Sequence, residues 1–284
     1  RPGRARRVDG GGEAMAHAWG CPTLLVSSMA RREVTVMLSG DGGDELFWGY
    51  AARLGAVLKR AEEFRQPHWL RTGRRAAHRL SGTPNSHTPL RWPTIGDWDR
   101  SVHTRLSDSA LAKIFTDLPR LPAEFTLFDY DGWRQDETAQ WLRWNELTGH
   151  LTRVLLKVDR AAMYHSLEVR VPLLDREVLD VAARVDWTSC LRLDTGEGKQ
   201  PLRRSLARHI ATPSSAKRGF SVPMAQWLRG PLLPLFRDKV LGRSELLGLS
   251  FRPGAMEALL NDHVSGRTDQ SRWLWTGLSL AVWS

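Results

Sequence analysis

Three carboxylates lie among glycines in residues 39–50 of the chain, which read S-G-D-G-G-D-E-L-F-W-G-Y. The glycines permit backbone angles that other residues rarely adopt and let a ligand approach the main chain closely. Amide groups at the start of a following helix favour an anion such as phosphate. However, Asp41, Asp44 and Glu45 would repel a bare phosphate unless a divalent cation lay between them. The segment therefore predicts a site for a metal-bound nucleotide or pyrophosphate, or for a cationic amine.

The elements on either side must hold this loop in place. Val34, Val36 and Leu38 fall in a short, β-branched and almost wholly apolar run, which predicts a buried strand of a parallel sheet. Beyond the loop, Leu46 and Tyr50 return at helical spacing. We expect a strand, a tight glycine loop and a helix.

Spacing excludes the commoner loops of this kind. A dinucleotide fingerprint that begins at Gly40 would need glycine where Glu45 stands, and the Lys-Ser/Thr pair of a Walker loop does not follow. A calcium-binding EF-hand loop that begins at Asp41 would need glycine in place of Leu46. For the loop taken alone, the alternative is an acidic surface turn before a capped helix.

A second candidate group follows a long helix. Apolar residues recur at three- and four-residue steps over about residues 140–166 and then alternate with charges from Glu168 to Val171, which predicts a helix followed by an extended segment. Glu168 and Arg170 would share one side of that segment, and Asp175 would cap the next helix. The alternatives for these charges are a structural ion pair and a pocket-facing group, and we favour a function for Glu168.

A third candidate group is the cation pair Lys217 and Arg218, which precedes Gly219 and an amphipathic segment that contains Trp227. Two adjacent cations beside a glycine can reach a phosphate. The alternative for such a pair taken alone is ordinary solvated charge.

Composition limits the partners. The formal charge is +10, and arginine accounts for 35 of the 41 basic residues. Because the arginines are scattered and no RNA-binding motif accompanies them, we expect no nucleic-acid partner. The sequence has no run of eighteen apolar residues, and Cys21 and Cys190 lie far apart. We therefore expect a cytoplasmic protein without a membrane span, a disulfide framework or a zinc cluster built on cysteines.

The chain divides into a tail and a domain. Residues 1–15 are rich in arginine and glycine and lack periodicity, which predicts a disordered tail. Helical patterns dominate residues 16–284, with few extended segments. We expect an α/β domain that is predominantly helical.

Together the three groups resemble the asparagine synthetase family. Residues 39–50 match the family signature S-G-D-G-G-D-E-L-F-x-G-Y, and residues 157–175 resemble K-x-D-R-x-S-M-x-x-S-x-E-x-R-x-P-x-L-D, with Ala162 where the family usually has serine. Lys217 begins a match to the family's K-x-G-F-x-V-P loop. The resemblance covers about residues 16–284. It implies part of an adenine nucleotide α-hydrolase-like domain of the ATP pyrophosphatase type.

The resemblance also implies a reaction. Family members use ATP and Mg²⁺ to adenylate the β-carboxylate of aspartate, and ammonia from glutamine attacks the acyl-adenylate to give asparagine, AMP and pyrophosphate. The chain would then belong to an amide-forming carbon–nitrogen ligase that acts on aspartate or a carboxylate analogue. One alternative is an amide-forming cyclase of the β-lactam or lasso-peptide type. The other is a non-catalytic fragment or interaction module.

Site roles carry over by position. The resemblance implies ATP binding for Leu38, Ser39, Gly40 and Gly42, metal binding for Asp44, and catalysis for Asp41, Glu168 and Lys217. Physically, a carboxylate can position and deprotonate an ammonium nucleophile. A metal and a lysine can neutralise the charge that develops on pyrophosphate and on the oxyanion.

Two parts of the family pattern are missing. The pyrophosphate loop S-G-G-x-D-S, which normally lies upstream of the strand at Val34, does not occur. The glutaminase domain with its N-terminal nucleophilic cysteine is also absent, since the chain opens on Arg1. We expect an incomplete synthetase domain whose missing segments lie in a longer chain or in a second chain, and whose ammonia comes from a glutaminase domain absent here.

Overall fold

The structure, a computed structural model, describes residues 20–80, 92–104, 108–118, 126–210 and 222–284. The predicted tail, residues 1–15, and the predicted catalytic residue Lys217 lie outside these ranges.

The chain forms two compact units. The larger unit takes its described residues from Val26–Ser107 and Leu121–Arg218, and the smaller takes them from Arg1–Leu25, Asp108–Arg120 and Gly219–Ser284. All three elements of the predicted strand–loop–helix segment belong to the larger unit.

Helices dominate both units, which confirms the expected helical character and is compatible with an α/β fold. In chain order the α-helices are α1 (Gly20–Glu33), α2 (Gly43–Leu46), α3 (Ala51–Arg60), α4 (His68–Leu80), α5 (Ile95–Thr104), α6 (Asp108–Leu111), α7 (Gln135–Asn145), α8 (Thr152–Met163), α9 (Arg176–Arg184), α10 (Trp187–Cys190), α11 (Gln200–Leu206), α12 (Met224–Arg229), α13 (Leu233–Lys239), α14 (Ala255–Val264) and α15 (Ser271–Trp283). Short 3₁₀ turns occur at Ala61–Arg65, Thr126–Phe128 and Pro172–Leu174, and a π-helical segment occurs at Glu146–Leu151. None of the described helices is long and apolar enough to cross a membrane.

An apolar core holds the larger unit together. In α3, Leu54, Val57 and Leu58 recur at helical spacing and are each about 1% exposed. They belong to one buried cluster with Trp48, which follows the loop, and with Leu142 of α7. Burying a side chain of this size contributes roughly 1.5–3 kcal/mol, so the core fixes the helices around the loop.

The strand before the loop is paired as predicted but is not buried. β1 (Val36–Leu38) and β2 (Glu168–Arg170) form a parallel two-stranded sheet in which Val36 lies beside Glu168 and Leu38 beside Arg170. The prediction of burial is wrong for the described part of the chain, because Val36 is 38% and Leu38 68% exposed. Their apolar pattern anticipates a covering layer, and no described element supplies one.

The long helix predicted over residues 140–166 is confirmed, with a local change of winding. α7, the π-helical segment and α8 follow one another without a break from Gln135 to Met163. The extended segment then follows as β2. The predicted cap is also confirmed, since the Asp175 carboxylate accepts a hydrogen bond from the Glu177 amide at 3.0 Å at the start of α9.

The smaller unit has a separate core. It contains α6, α12 to α15 and an antiparallel hairpin of β3 (Glu245–Leu246) and β4 (Leu249–Ser250). Phe236, Leu228 and Leu274 are fully buried in it. The fully buried His263 accepts a hydrogen bond at Nδ1 from the Gln270 amide at 3.2 Å. Its Nε2 therefore carries the proton and donates to the Ala225 carbonyl at 3.1 Å.

One buried guanidinium joins three elements of the larger unit. Arg143 of α7 donates hydrogen bonds to the carbonyls of Leu46 at 3.2 Å, Ala182 at 3.0 Å and Val185 at 3.2 Å. Leu46 ends α2, and Ala182 and Val185 lie at the end of α9, where helices leave carbonyls without partners. Arg143 thus ties the helix after the loop to the body of the unit.

We expect Arg143→Met to destabilise the larger unit. The apolar replacement removes a donor from three carbonyls, of which Ala182 keeps the hydrogen bond from the Val185 amide. Each buried group left unpaired costs about 1–3 kcal/mol, partly offset because a buried charge is also removed. Urea unfolding followed by tryptophan fluorescence measures the change. The matched control is Arg134→Met, whose exposed ion pair with Glu137 should contribute at most about 1 kcal/mol. Equal losses in the two variants would contradict the role given to Arg143.

Candidate functional site

The loop between β1 and α2 is held by hydrogen bonds between its own residues. The Ser39 hydroxyl donates to Oδ2 of Asp41 at 2.5 Å and accepts from the Asp41 amide at 3.3 Å. The Ser39 amide donates to the Arg170 carbonyl at 2.8 Å, which extends the pairing of β1 with β2. Gly42 then adopts φ +83°, in the left-handed region. The sharp turn predicted after β1 is therefore present.

Side chains from the segment after β2 set the shape of this loop. A Cβ atom at Gly42 would overlap the side chain of Leu174, and one at Gly43 would lie 2.7 Å from Cδ1 of Leu173. Parallel pairing brings the exits of β1 and β2 to the same edge of the sheet, which is why these leucines meet the loop. Neighbouring side chains therefore leave no room for a Cβ atom at either position, and Gly42 also has a backbone angle that favours glycine.

A lysine from another part of the chain reaches the loop. Nζ of Lys199 lies 2.9 Å from Oδ2 of Asp44. The backbone holds Lys199 in place, because its amide donates to the Phe47 carbonyl at 2.7 Å just before α11. A Cβ atom at Gly49 would overlap both Oδ1 of Asp44 and Cε of Lys199. The glycine therefore leaves the room in which the carboxylate and the ammonium meet.

The third acid of the loop faces inward. Glu45 is 3% exposed, and its carboxylate accepts a hydrogen bond from the Tyr50 hydroxyl at 2.9 Å. Burial raises the pKa of Glu45, while the hydrogen bond from Tyr50 opposes the shift. The two other acids, Asp41 and Asp44, are half-buried and remain accessible to a ligand.

A second lysine lies within electrostatic reach of Asp41. Lys157 of α8 is half-buried. Burial lowers the pKa of its ammonium, and the charge of Asp41 partly offsets this shift. The loop carboxylates Asp41 and Asp44 are therefore each accompanied by a lysine, which suits a site that receives both a cation and a phosphate group.

The predicted acid Glu168 lies on the open face of the sheet. Its Oε1 atom accepts from Nε of Arg170 at 2.7 Å, and more than half of each side chain is exposed. Both residues pair in register with β1 and share the face of Val36 and Leu38. Glu168 lies two residues before the edge where the loop begins, a distance of about 6.6 Å along a strand.

The structure thus brings together some of the predicted residues. Leu38, Ser39, Gly40, Asp41, Gly42 and Asp44 form one loop, Glu168 lies on the neighbouring strand, and Lys217 lies outside the described residues. Sequence reasoning missed Lys157 and Lys199 as site residues. The one usable signal for Lys199 was its position directly after glycines and before a helix, where a cation can meet a phosphate.

The parallel-strand edge thus carries a glycine loop, two accessible carboxylates and two lysines, the kinds of group that bind a metal ion and a phosphate in other proteins. The sequence profile of the family described as asparagine synthase matches residues 6–284. The chain therefore belongs to the asparagine synthase family.

Curated relatives carry the same name. The chain is 29% identical over 272 residues to putative glutamine-hydrolysing asparagine synthetases of Mycobacterium bovis and Mycobacterium tuberculosis. It is 28% identical over 283 residues to the glutamine-hydrolysing asparagine synthetase 1 of Bacillus subtilis. Each match covers 92% of this chain but 41% or 42% of the relative. The chain thus spans about two fifths of the length of these relatives.

We expect Gly42→Ala to destabilise the larger unit more than Gly196→Ala. Both glycines have positive φ, +83° and +71°, but only Gly42 meets a neighbouring side chain, while a Cβ atom at Gly196 would meet nothing within 4 Å. The backbone conformation alone costs roughly 1–2 kcal/mol in either variant, and the overlap with Leu174 adds about 1–3 kcal/mol. Urea titration of both variants measures the difference. Equal losses would show that Leu174 yields and does not shape the loop.

Proposed function

We propose that this chain is part of the synthetase domain of an asparagine synthetase-type ligase, with the adenine nucleotide α-hydrolase-like fold. In the first step a carboxylate oxygen of aspartate bonds to the α-phosphorus of ATP and pyrophosphate leaves. In the second step ammonia bonds to the acyl carbon, AMP leaves and the nitrogen loses a proton. Family membership and the names of the relatives support this reaction.

The observation that carries the proposal is the pairing of Asp44 with Lys199 in the loop. Mg²⁺ in nucleotide sites is held by one or two carboxylates together with the phosphates, and Asp44 offers such an oxygen. The fit is supported by Gly49, which leaves space around this carboxylate. If a cation bound Asp44 in place of Lys199, the lysine amine would turn to a phosphate oxygen, since it lies at the end of a flexible stem.

The remaining roles follow from position. The backbone of Leu38, Ser39, Gly40 and Gly42 forms the ATP-facing loop. Asp41, oriented by the Ser39 hydroxyl, faces the acyl-adenylate or the incoming amine. Once the Glu168 carboxylate has left Arg170, it positions and deprotonates that amine. Lys217, which lies outside the described residues, neutralises negative charge in the transition state.

The open sheet supports a further part of the proposal. Glu168 and Arg170 lie on the same exposed face as Val36 and Leu38, whereas parallel sheets are usually covered on both faces. We infer that the synthetase segment that bears the pyrophosphate loop covers this face, either in the same polypeptide or in a second chain. Ammonia would come from a glutaminase domain, and aspartate or a similar carboxylate would be the acceptor.

Isothermal titration with ATP tests the site. For Mg²⁺-ATP we expect Asp44→Asn to weaken binding about tenfold or more, because a metal-binding carboxylate is lost. For ATP without Mg²⁺ we expect Asp44→Asn to bind more tightly than the wild type, because the substitution releases Lys199 and removes a negative charge. The control is Asp194→Asn, an exposed acid on the turn before Lys199, which should leave both affinities unchanged. Unchanged Mg²⁺-ATP binding in Asp44→Asn would contradict the metal role.

A product assay tests the reaction itself. Incubation of the chain, together with the segment that bears the pyrophosphate loop, with aspartate, ammonium and Mg²⁺-ATP should form AMP and asparagine in equal amounts. Formation of ADP would contradict adenylation. The failure of a folded chain to bind ATP at all would contradict the proposal that this chain carries the nucleotide site.

A further inference from the structure

Behind the loop, the larger unit buries a cluster of charged and imidazole side chains. Arg53 comes from α3, Asp99 and His103 come from α5, and Glu146 and His150 come from the π-helical segment. Asp99 and Glu146 are fully buried. Buried charges are stable only when they are paired or bound to a metal, so the partners of these two carboxylates decide what the cluster is.

One guanidinium serves both buried carboxylates. Nη2 of Arg53 lies 2.6 Å from Oε2 of Glu146, and its Nη1 lies 3.6 Å from Oδ1 of Asp99. Asn145 donates to Oδ2 of Asp99 at 3.4 Å. Within the described part of the chain, Oε1 of Glu146 and Oδ1 of Asp99 accept no hydrogen bond of good geometry. Buried polar atoms left in this way are often completed by an ion or a water molecule.

The cluster also contains a third buried carboxylate. Glu45 extends it, because the Tyr50 hydroxyl donates to Glu45 at 2.9 Å and lies 3.1 Å from Nε2 of His150. Burial raises the pKa of both Asp99 and Glu45, although Arg53 and His103 oppose the shift at Asp99. Three buried carboxylates thus share the cluster with the Arg53 guanidinium, and Arg153, whose Nη2 lies 3.5 Å from Nδ1 of His150, adds a second guanidinium at its edge.

Three side chains of the cluster have the chemistry and the spacing of metal ligands. Nε2 of His103 lies 3.4 Å from Oε1 of Glu146, and one ligand atom each of His103, Glu146 and His150 lie within 4.8 Å of one another. Bonds of about 2.0–2.1 Å at tetrahedral angles separate two zinc ligands by about 3.3 Å. The His103 and Glu146 atoms already have this separation, and the ligand atom of His150 lies within 4.8 Å of both.

The contacts of His150 bear on its use as a ligand. Its Nε2 atom lies 3.1 Å from the Tyr50 hydroxyl, and its Nδ1 atom lies 3.5 Å from Nη2 of Arg153. A metal bound by His150 would replace one of these two contacts.

We propose that His103, Glu146 and His150 bind a divalent transition metal, with Zn²⁺ the best match to two imidazoles and a carboxylate. Glu146 and His150 lie one turn apart in the π-helical segment, a form of helix that often marks functional sites. Arg53 holds Oε2 of Glu146 and leaves Oε1 for the metal, which is the usual arrangement around a ligating carboxylate. A water molecule or the Tyr50 hydroxyl takes the fourth position.

Such a metal would be structural and distinct from the Mg²⁺ proposed at Asp44. It would join α5 to the π-helical segment and, through Tyr50, to Glu45 of α2. It does not depend on the proposed ligase reaction, because its ligands belong to none of the residues assigned to ATP or aspartate.

Zinc binding to the purified chain tests the proposal. Metal is removed with a chelator, Zn²⁺ is titrated in competition with a chromophoric chelator, and retained zinc is measured after dialysis. We expect one bound Zn²⁺ per chain, and about a tenfold or greater loss of affinity in His150→Gln and in His103→Gln, since each removes a ligand. The matched control is His209→Gln, an exposed histidine outside the cluster, which should bind as the wild type does.

A second readout separates this site from adventitious zinc. Co²⁺ in place of Zn²⁺ should give the visible absorption of a tetrahedral site in the wild type and in His209→Gln, but not in the other two variants. Circular dichroism confirms that each variant is folded, and two independent ligand variants are used in case one of them unfolds. The proposal is overturned if the folded wild type retains no zinc, or if His103→Gln and His150→Gln bind it as tightly as the control.

Discussion

The three hydrogen bonds of Arg143 are the constraint on which the site depends most. The loop helix α2 has only four residues, too few to be stable on its own, so its place must come from outside. Arg143 binds the carbonyl at its last residue and, with the same guanidinium, two carbonyls at the end of α9. Burial lowers the pKa of Arg143, because holding a charged guanidinium in the interior costs free energy. The hydrogen bonds to the three carbonyls offset this cost.

Local signals in the sequence were enough to predict the elements of the site but not its contacts. The strand, the glycine turn and the Asp175 cap depend on a few neighbouring residues, and all three are present. The expectation that β1 is buried was wrong. Alternating apolar residues indicate that a strand can pack against another layer, but they do not indicate whether that layer belongs to the same chain. The contact of Lys199 with Asp44 joins residues far apart in sequence, so no local pattern could predict it. The π-helical turn was missed for a similar reason, since its apolar periodicity is close to that of an α-helix.

The larger unit contains two groups of acids, one accessible to a ligand and one buried. Asp41 and Asp44 lie at the edge of the sheet, each with a lysine nearby, and remain accessible to a ligand. Glu45, Asp99 and Glu146 lie in the interior, where burial raises the pKa of the first two. The Glu45–Tyr50 hydrogen bond connects the groups, because Glu45 is the neighbour of Asp44 in α2. The loop that carries Asp41 and Asp44 is therefore connected through Glu45 to the buried acids of the interior.

The glycines of the loop have a consequence for protein engineering. Gly42, Gly43 and Gly49 each leave a space that is filled by Leu174, Leu173 or Lys199, residues far along the chain. A peptide of residues 39–50 would contain every loop carboxylate but would lose the surfaces that give it this shape. Transplanting the loop onto another scaffold would therefore require the turn after β2 and the start of α11 to be moved with it. The shape of the loop thus depends on three separate segments, and the continuous motif is only one of them.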